Sequence, residues 1–169
     1  MQSKLKNSGY TLVEMMIYVA ILSLVSLLSV STVLSFTRSY RDLLALRNVE
    51  HAGLDAMEKM TRDIRSTTSI DDANSVFGTT PGVLTIVATA NSVSTTTKFY
   101  LQNGIIKADV NGSYFGPLTP SNASTTSLVF TKLNSGIGFA VKVDMAVSAT
   151  VGTTSRAKIF HSTIIARGL

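Results

Sequence analysis

Few side chains in this sequence are of the types that carry chemistry. The 169 residues contain no cysteine and two histidines, His51 and His161. Without a thiol there is no disulfide, no thiolate metal site and no cysteine nucleophile. The sequence also lacks a nucleotide-binding loop and the glycine-flanked serine of a hydrolase, so each histidine is interpreted as a surface or packing residue. We predict that the protein is not an enzyme and has no catalytic residue and no cofactor.

Two adjacent acids, Asp71 and Asp72, are the candidate for a cation site. A hard cation such as Ca²⁺ needs six to eight oxygen ligands. The sequence places only these two carboxylates side by side, and they supply a small part of such a shell. We therefore expect no metal site.

Glu14 is the acidic side chain whose position demands an explanation. It is the only charged residue between Tyr10 and Phe36, in the most apolar part of the chain. A carboxylate is costly at the start of a membrane span, so it requires a partner. No lysine, arginine or histidine lies between Ser8 and Thr37 to pair with it.

Cleavage between Gly9 and Tyr10 would create a partner for Glu14, the α-amino cation of Tyr10. The two residues are four apart, so they would share a helix face, about 6 Å apart along the axis. In a bundle, Glu14 of one subunit would meet the Tyr10 amine of its neighbour. At a separation of 4 Å and an effective dielectric constant of 20, the attraction between the two charges is about 4 kcal/mol before the cost of desolvation is subtracted. Glu14 is therefore the candidate assembly residue, and the pair would also fix the axial register of the helices.

The apolar run around these residues is long enough to cross a membrane. The 22 residues Met15–Phe36 carry no charge, and as a helix they would span roughly 33 Å, against ~30 Å for a hydrocarbon core. Two basic residues precede the run and two follow it, so the positive-inside rule does not set its orientation. An ordinary cleaved signal would have a shorter run and a small-residue cleavage site. We predict a membrane-spanning helix.

The sequence KLKNSGYTLVE, residues 4–14, resembles the N-terminus of type IV pilins and type II secretion pseudopilins. That family has a short basic leader ending in glycine, an aromatic first mature residue, usually phenylalanine, and a glutamate four positions further on. The resemblance implies cleavage after Gly9, N-methylation of Tyr10, and assembly into a fibre through Glu14 and the apolar helices. It implies as partners a prepilin peptidase and methyltransferase, other pilin or pseudopilin subunits, and the cytoplasmic membrane.

The resemblance also implies a location and a function. The precursor would be a single-pass protein of the cytoplasmic (inner) membrane with its globular domain outside the cytoplasm, and it would later join a pilus or pseudopilus. An uncleaved, membrane-anchored adhesin or binding domain is one alternative, and a DNA-uptake pilin is another. With a net charge of +5 and basic residues spread over several predicted strands, a nucleic-acid partner is not expected. No small-molecule substrate is expected either.

Beyond Arg38 the helical period continues as an amphipathic stem that ends near Arg65. Apolar residues and one glycine, Gly53, recur at three- and four-residue spacing, a stripe for burial on one side. The predicted stripe is Leu43, Leu46, Val49, Gly53, Met57, Met60 and Ile64. Because glycine costs about 1 kcal/mol in a helix, we expect another group to approach closely at Gly53. Oppositely charged residues four apart predict ion pairs, namely Arg38–Asp42, Asp55–Lys59, Glu58–Arg62 and Lys59–Asp63.

The stem end, Ala56–Ile70, is similar to that of minor pseudopilins of the J type, in which an Arg-Asp-x-Arg pattern precedes the globular sheet. Glu14 argues against the K type, which lacks that glutamate. This second similarity implies a minor pseudopilin as the subtype.

From Val83 onward the apolar pattern alternates with period two, which predicts six strands. The clearest lies between Phe139 and Ser148, where Phe139, Val141, Val143, Met145 and Val147 are predicted to share one face. Asn103-Gly104 predicts a two-residue hairpin turn, and Asn111-Gly112 predicts a second turn. The amphipathic stem is the available cover for the apolar face of such a sheet. We therefore predict an α+β fold, a long helix packed on an antiparallel sheet in the ladle form of a pilin. The predicted domains are a leader (1–9), a transmembrane assembly helix (10–37), a stem (38–70) and a β domain (71–169).

Overall fold

The structure, a computed structural model, describes residues 10–90, 92–135 and 138–166 of the chain. Within these ranges one helix, α1 (Leu12–Arg65), is followed by eight strands. They are β1 (Ser69–Ile70), β2 (Val83–Ala90), β3 (Val93–Gln102), β4 (Ile105–Val110), β5 (Ser113–Pro117), β6 (Ser124–Ser135), β7 (Gly138–Val151) and β8 (Thr154–Ile165). The predicted α+β class is confirmed.

Helix α1 begins and ends beside residues whose hydroxyl side chains form hydrogen bonds with its backbone. Before its first residue, the Thr11 hydroxyl accepts a hydrogen bond from the Glu14 amide at 3.3 Å, as an N-cap does. After Arg65, the hydroxyls of Ser66 and Thr67 both donate to the carbonyl of Asp63. Serine and threonine favour such local bonds at the expense of further helix, which explains the predicted end of the stem.

The chain divides into two compact units, the first ending at Tyr40 and the second beginning at Arg41. In the first unit, the large hydrophobic side chains from Leu12 to Phe36 are 50% to 76% exposed. The second unit contains the rest of α1 and all eight strands of the described ranges.

The strands form two antiparallel sheets rather than one. Sheet A has the order β1-β2-β3-β4-β5, and sheet B has the order β6-β7-β8. The prediction of six strands missed β1 and β5. A strand of two residues, such as β1, is too short to show a period. Strand β5 contains Gly116 and Pro117, and both residue types are depleted in strands.

The predicted hairpin turns are confirmed by their backbone angles. At Asn103-Gly104, between β3 and β4, φ is 53° and 74°, and at Asn111-Gly112, between β4 and β5, it is 51° and 79°. Two consecutive positive φ values are the requirement of a type I′ turn. These turns set the register of the β3–β4–β5 meander.

The stem face that meets the sheets differs in part from the predicted stripe. Leu43 is 65% exposed and Leu46 is 40% exposed, so the prediction was wrong at both. The buried stem residues are Ala45, Val49, Ala52, Gly53, Ala56, Met60 and Ile64. The face that the sheets cover is rich in small residues. The predicted stripe was chosen from large apolar side chains, so it did not include Ala45, Ala52 and Ala56.

The close approach expected at Gly53 is confirmed. A Cβ atom added there would overlap the ring of Phe160 in β8. Phe160 packs against the core formed by the stem and both sheets. Glycine therefore makes room for an aromatic ring between α1 and β8.

The alternation predicted for β7 is confirmed. Val141, Val143, Met145 and Val147 are at most 1% exposed, and the intervening Lys142 is exposed. Phe139, predicted to share their face, is only partly buried. Sheet B thus presents one apolar face to the core.

Two of the four predicted ion pairs along the stem are formed. Arg62 Nη2 lies 2.6 Å from a carboxylate oxygen of Glu58, and Lys59 Nζ lies 2.9 Å from one of Asp63. The predicted Asp55–Lys59 pair is absent among the described residues, because Lys59 pairs with Asp63 instead.

Asp42 does not pair with Arg38 as predicted; its partner is Arg156 of β8. The guanidinium donates through Nε and Nη2, the latter 2.7 Å from Asp42 Oδ2. Further along the stem, Lys158 Nζ lies 2.9 Å from Glu50 Oε1. A spacing rule within one helix cannot anticipate these partners, because they come from a strand more than 100 residues away.

Candidate assembly site

Three side chains are spaced four residues apart at the start of α1: Glu14 and Tyr18 lie in its first turns, and Tyr10 lies two residues before the helix begins. Residues at this spacing lie on one helix face. The Tyr18 hydroxyl donates a hydrogen bond to Glu14 Oε1 at 2.7 Å. The rings of Tyr10 and Tyr18 meet edge to face with centroids 6.3 Å apart. The structure therefore brings the predicted assembly residue together with the predicted methylation residue through Tyr18.

Tyr18 is the residue of this site that the sequence interpretation missed. Because Tyr18 lies within an apolar run, it was interpreted as one more hydrophobic residue. The available signal was its position four residues after Glu14, where a phenol can reach a carboxylate. The spacing Thr11-x-x-Glu14 is likewise that of a capping box, and the structure forms the half in which Thr11 accepts.

The Glu14 carboxylate is half-buried by its neighbours, whereas Tyr10 is 74% exposed. Within the described ranges no cationic side chain forms an ion pair with Glu14. Tyr18 is a neutral donor, so it occupies a lone pair of the carboxylate and leaves its charge unbalanced. A carboxylate has about four acceptor positions, which leaves room for a cation beside the phenol.

The helix around this site presents an apolar surface on every side. Among the described residues, α1 is the one helix long and apolar enough to span a membrane, with a mean hydropathy of 2.3 in its most apolar window. A continuous exposed surface of this kind needs a lipid or a partner to cover it. Such a segment fits a membrane-anchored, single-pass protein.

Three of the serines within the span, Ser23, Ser29 and Ser31, donate their hydroxyls to carbonyls of the preceding helical turn. Ser23 donates to the Val19 carbonyl and Ser29 to the Val25 carbonyl, each at 2.8 Å. Bonds to the preceding turn leave the polar groups paired inside lipid.

Residues 4–30 match the family model of the prokaryotic N-terminal methylation motif. The match includes Gly9, Tyr10 and Glu14; Gly9 lies outside the described residues. No curated protein and no solved structure matches the chain. The motif supports a structural role of the pilin or pseudopilin type, and the family that carries it is structural rather than enzymatic.

The other candidate residues are placed apart from this site. Asp72 pairs with Lys132 of β6, with 2.6 Å between the charged atoms. Asp71 accepts hydrogen bonds from the backbone and side chain of Asn74, and the side-chain bond above all holds the pKa of Asp71 below its ordinary value. No group of three or more potential metal-binding side chains occurs in the part of the chain that the structure describes.

Proposed function

We propose that this protein is a minor pilin or pseudopilin, a structural subunit of a type IV pilus or a type II secretion pseudopilus. In this proposal a prepilin peptidase cleaves the membrane-held precursor after Gly9, the new N-terminus at Tyr10 is methylated, and subunits assemble through α1. The observation that carries it is the single carboxylate of Glu14, four residues after Tyr10 on an exposed apolar helix, within a matched methylation motif.

The hydrogen bond from Tyr18 suggests how the precursor tolerates Glu14. Before cleavage, Tyr10 has an amide nitrogen and no positive charge, so the carboxylate lacks its partner. The phenol of Tyr18, 2.7 Å away, lowers the cost of holding the carboxylate in an apolar environment. After cleavage, the amine of a neighbouring subunit binds at the acceptor positions that Tyr18 leaves open.

The location and subtype follow from the same proposal. The leader, residues 1–9, lies on the cytoplasmic side, α1 crosses the cytoplasmic membrane, and the β domain lies outside the cytoplasm until assembly. The similarity of Ala56–Ile70 to the stem end of J-type pseudopilins supports a minor subunit of that type.

The intact mass of the protein purified from its native host tests the proposal. We expect a chain that has lost residues 1–9 and carries one methyl group on the amine of Tyr10. A chain that retains Met1 would overturn the assignment of the cleavage site and favour an uncleaved, membrane-anchored binding domain.

A further inference from the structure

A polar cavity of about 360 Å³ opens on the face of sheet A that is turned away from the core. Its lining includes Thr85, Lys98 and Asp109, which are cross-strand neighbours on β2, β3 and β4. Tyr114 of β5 is the next residue of this row, opposite Asp109 and beside the cavity. Directly opposed residues project from the same face of a sheet. The row therefore places an ammonium group, a carboxylate and a phenol side by side on the surface.

One wall of this cavity is fixed by hydrogen bonds. The segment after β1 contributes Asp71 and Asn74 to the lining. The Thr85 hydroxyl donates to the Asn74 carbonyl at 2.8 Å, and the Asp71 amide donates to the Thr85 carbonyl at 3.0 Å. Thr85 itself is 3% exposed. The wall is thus held in place before any ligand arrives, which reduces the ordering cost of binding.

Lys98 and Asp109 are direct cross-strand neighbours of opposite charge, yet among the described residues they form no ion pair. Lys98 Nζ lies 5.9 Å from the ring centroid of Tyr100 instead. Asp109 accepts a hydrogen bond from the Tyr100 hydroxyl at 3.1 Å. A donor and an acceptor therefore face the cavity with hydrogen-bonding capacity left over.

Two tyrosines lie beside the polar floor. Tyr100 is half-buried, and Tyr114 is 58% exposed although its ring is apolar. The Tyr114 ring lies next to Lys107, whose Nζ is 5.5 Å from its centroid. An exposed aromatic face beside convergent polar groups suits a ligand that has both an apolar face and hydroxyl groups.

The charges of the lining restrict the class of ligand. Two carboxylates, Asp71 and Asp109, repel phosphates and other anions, so a nucleic acid or an acidic sugar is disfavoured. Lys98 in the same cavity repels a metal cation, and the two carboxylates provide too few ligands for one. A neutral molecule whose hydroxyls both donate and accept satisfies all three charged groups.

We propose that this cavity binds a neutral saccharide, whose hydroxyls bond to Asp109, Asp71 and Lys98 in the lining and one of whose pyranose rings stacks on Tyr114 beside it. A volume of about 360 Å³ lies within the range of small-molecule sites in proteins. The inference goes beyond assembly, because it gives the β domain a binding role of its own.

Saturation-transfer NMR on the full-length protein tests this site. The protein is reconstituted in lipid nanodiscs, because the sugar headgroup of an alkyl glycoside detergent would compete. The probes are maltotetraose, cellotetraose and tetra-N-acetylchitotetraose. We expect transfer to the ring protons of at least one of them. Asp109→Asn, which keeps the side-chain shape, and Tyr114→Ala should each raise its Kd by about tenfold.

Phe115→Ala is the matched control, because it removes the neighbouring exposed ring. Phe115 lies beside Lys59 of the stem, 5.3 Å from Nζ to the ring centroid, whereas Tyr114 lies opposite Asp109 of the cavity lining. The Kd of the saccharide probe for Phe115→Ala should stay within about twofold of its value for the wild type. Thermal unfolding of each variant checks that the fold is retained.

Three results would overturn the saccharide site. One is the absence of saturation transfer to all three probes, and another is unchanged affinity in both Asp109→Asn and Tyr114→Ala. The third is a response of the Tyr114 resonances to Ca²⁺ or inorganic phosphate alone. None of these measurements depends on cleavage after Gly9, so they are separate from the intact-mass test of assembly.

Discussion

The proposed assembly depends on the negative charge of Glu14. The hydrogen bond from Tyr18 to Glu14 can be removed without removing that charge, so the two contributions can be tested separately. Glu14 bonds to Tyr18 within its own chain, whereas the proposed ion pair needs a second subunit. Loss of the phenol and loss of the charge should therefore have different consequences. Glu14→Gln removes the charge and Tyr18→Phe removes the phenol. Both change neighbouring atoms on the same helix face, so each is a control for the other.

Glu14→Gln should leave the protein inserted and cleaved but reduce its incorporation into filaments by at least about tenfold. The glutamine retains the size and the acceptor oxygen but lacks the charge that binds the neighbour's amine, and a hydrogen bond to a charged group is worth about 1.5–3 kcal/mol. Quantitative immunoblotting of sheared filaments against the membrane fraction measures the change.

Tyr18→Phe should still assemble, because Glu14 keeps its charge. Equal incorporation of Glu14→Gln and wild type would contradict the ion pair. A loss in Tyr18→Phe as large as that in Glu14→Gln would assign the effect to the phenol instead.

At the scale of elements, α1 and β8 are joined by one close packing contact and two ion pairs. Gly53 accommodates the Phe160 ring, Arg156 binds Asp42, and Lys158 binds Glu50. The three contacts lie in the same order along both elements, so the stem and β8 run in the same direction. Helix and strand are therefore held in register at three points.

Gly53→Ala should destabilise the second unit even though alanine favours helix. The helical gain is about 1 kcal/mol, but the added methyl overlaps the Phe160 ring, and overpacking typically costs about 1–3 kcal/mol. We expect a net loss of about 1 kcal/mol, measured as a lower Tm. The double variant Gly53→Ala/Phe160→Leu should be more stable than the sum of the stability losses of the two single variants predicts. A Tm for Gly53→Ala above that of the wild type would contradict the close contact.

The Asp42–Arg156 pair predicts a pH dependence. The hydrogen bond from Arg156 is the main cause that lowers the pKa of Asp42 from its ordinary value of 3.8. A carboxyl with a depressed folded-state pKa stabilises the fold above its unfolded pKa and loses that contribution as the pH falls through the folded value. The wild type should therefore exceed Asp42→Asn in Tm near neutral pH, and the difference should shrink below pH 3.8.

Thermal scans of both proteins between neutral pH and pH 2 measure this difference. The effect is small, because both side chains are partly exposed and screened by solvent. A difference that stays constant across this range would show that Asp42 acts through packing rather than through its charge.

For the whole molecule, the features that were predicted correctly depend mostly on one element, and the features that depend on sheet register were missed. Tyr10 and Glu14 are candidates because of their spacing along one helix, and the turn at Asn103-Gly104 follows from local backbone preference. The cavity on sheet A instead requires the order and register of β2, β3 and β4. Tyr114 beside it also requires β5, which the period-two pattern did not predict because the strand contains Gly116 and Pro117. The partner of Asp42 was missed for the same reason, since Arg156 lies on β8 of sheet B, more than 100 residues away in the sequence.

The distribution of buried residues predicts that the second unit folds without the first. The core begins at Ala45, and within the described residues every buried hydrophobic side chain lies at or beyond it. A chain that starts at Arg41, where the second compact unit begins, keeps this core and the Asp42–Arg156 pair. It loses the exposed apolar surface that needs lipid. We expect it to be soluble without detergent and to unfold cooperatively on heating, as followed by circular dichroism.

A second truncation that starts at Ala56 is the control. It removes Ala45, Val49, Ala52 and Gly53 from the stem, and with them the cover for Phe160 and the partners of Arg156 and Lys158. Because a sheet with an uncovered apolar face is not stable in water, this shorter chain should aggregate or lack a cooperative transition. If the chain from Arg41 also failed to fold, residues 10–40 would have to stabilise the β domain. If the chain from Ala56 folded equally well, the stem would not be the cover of the sheets.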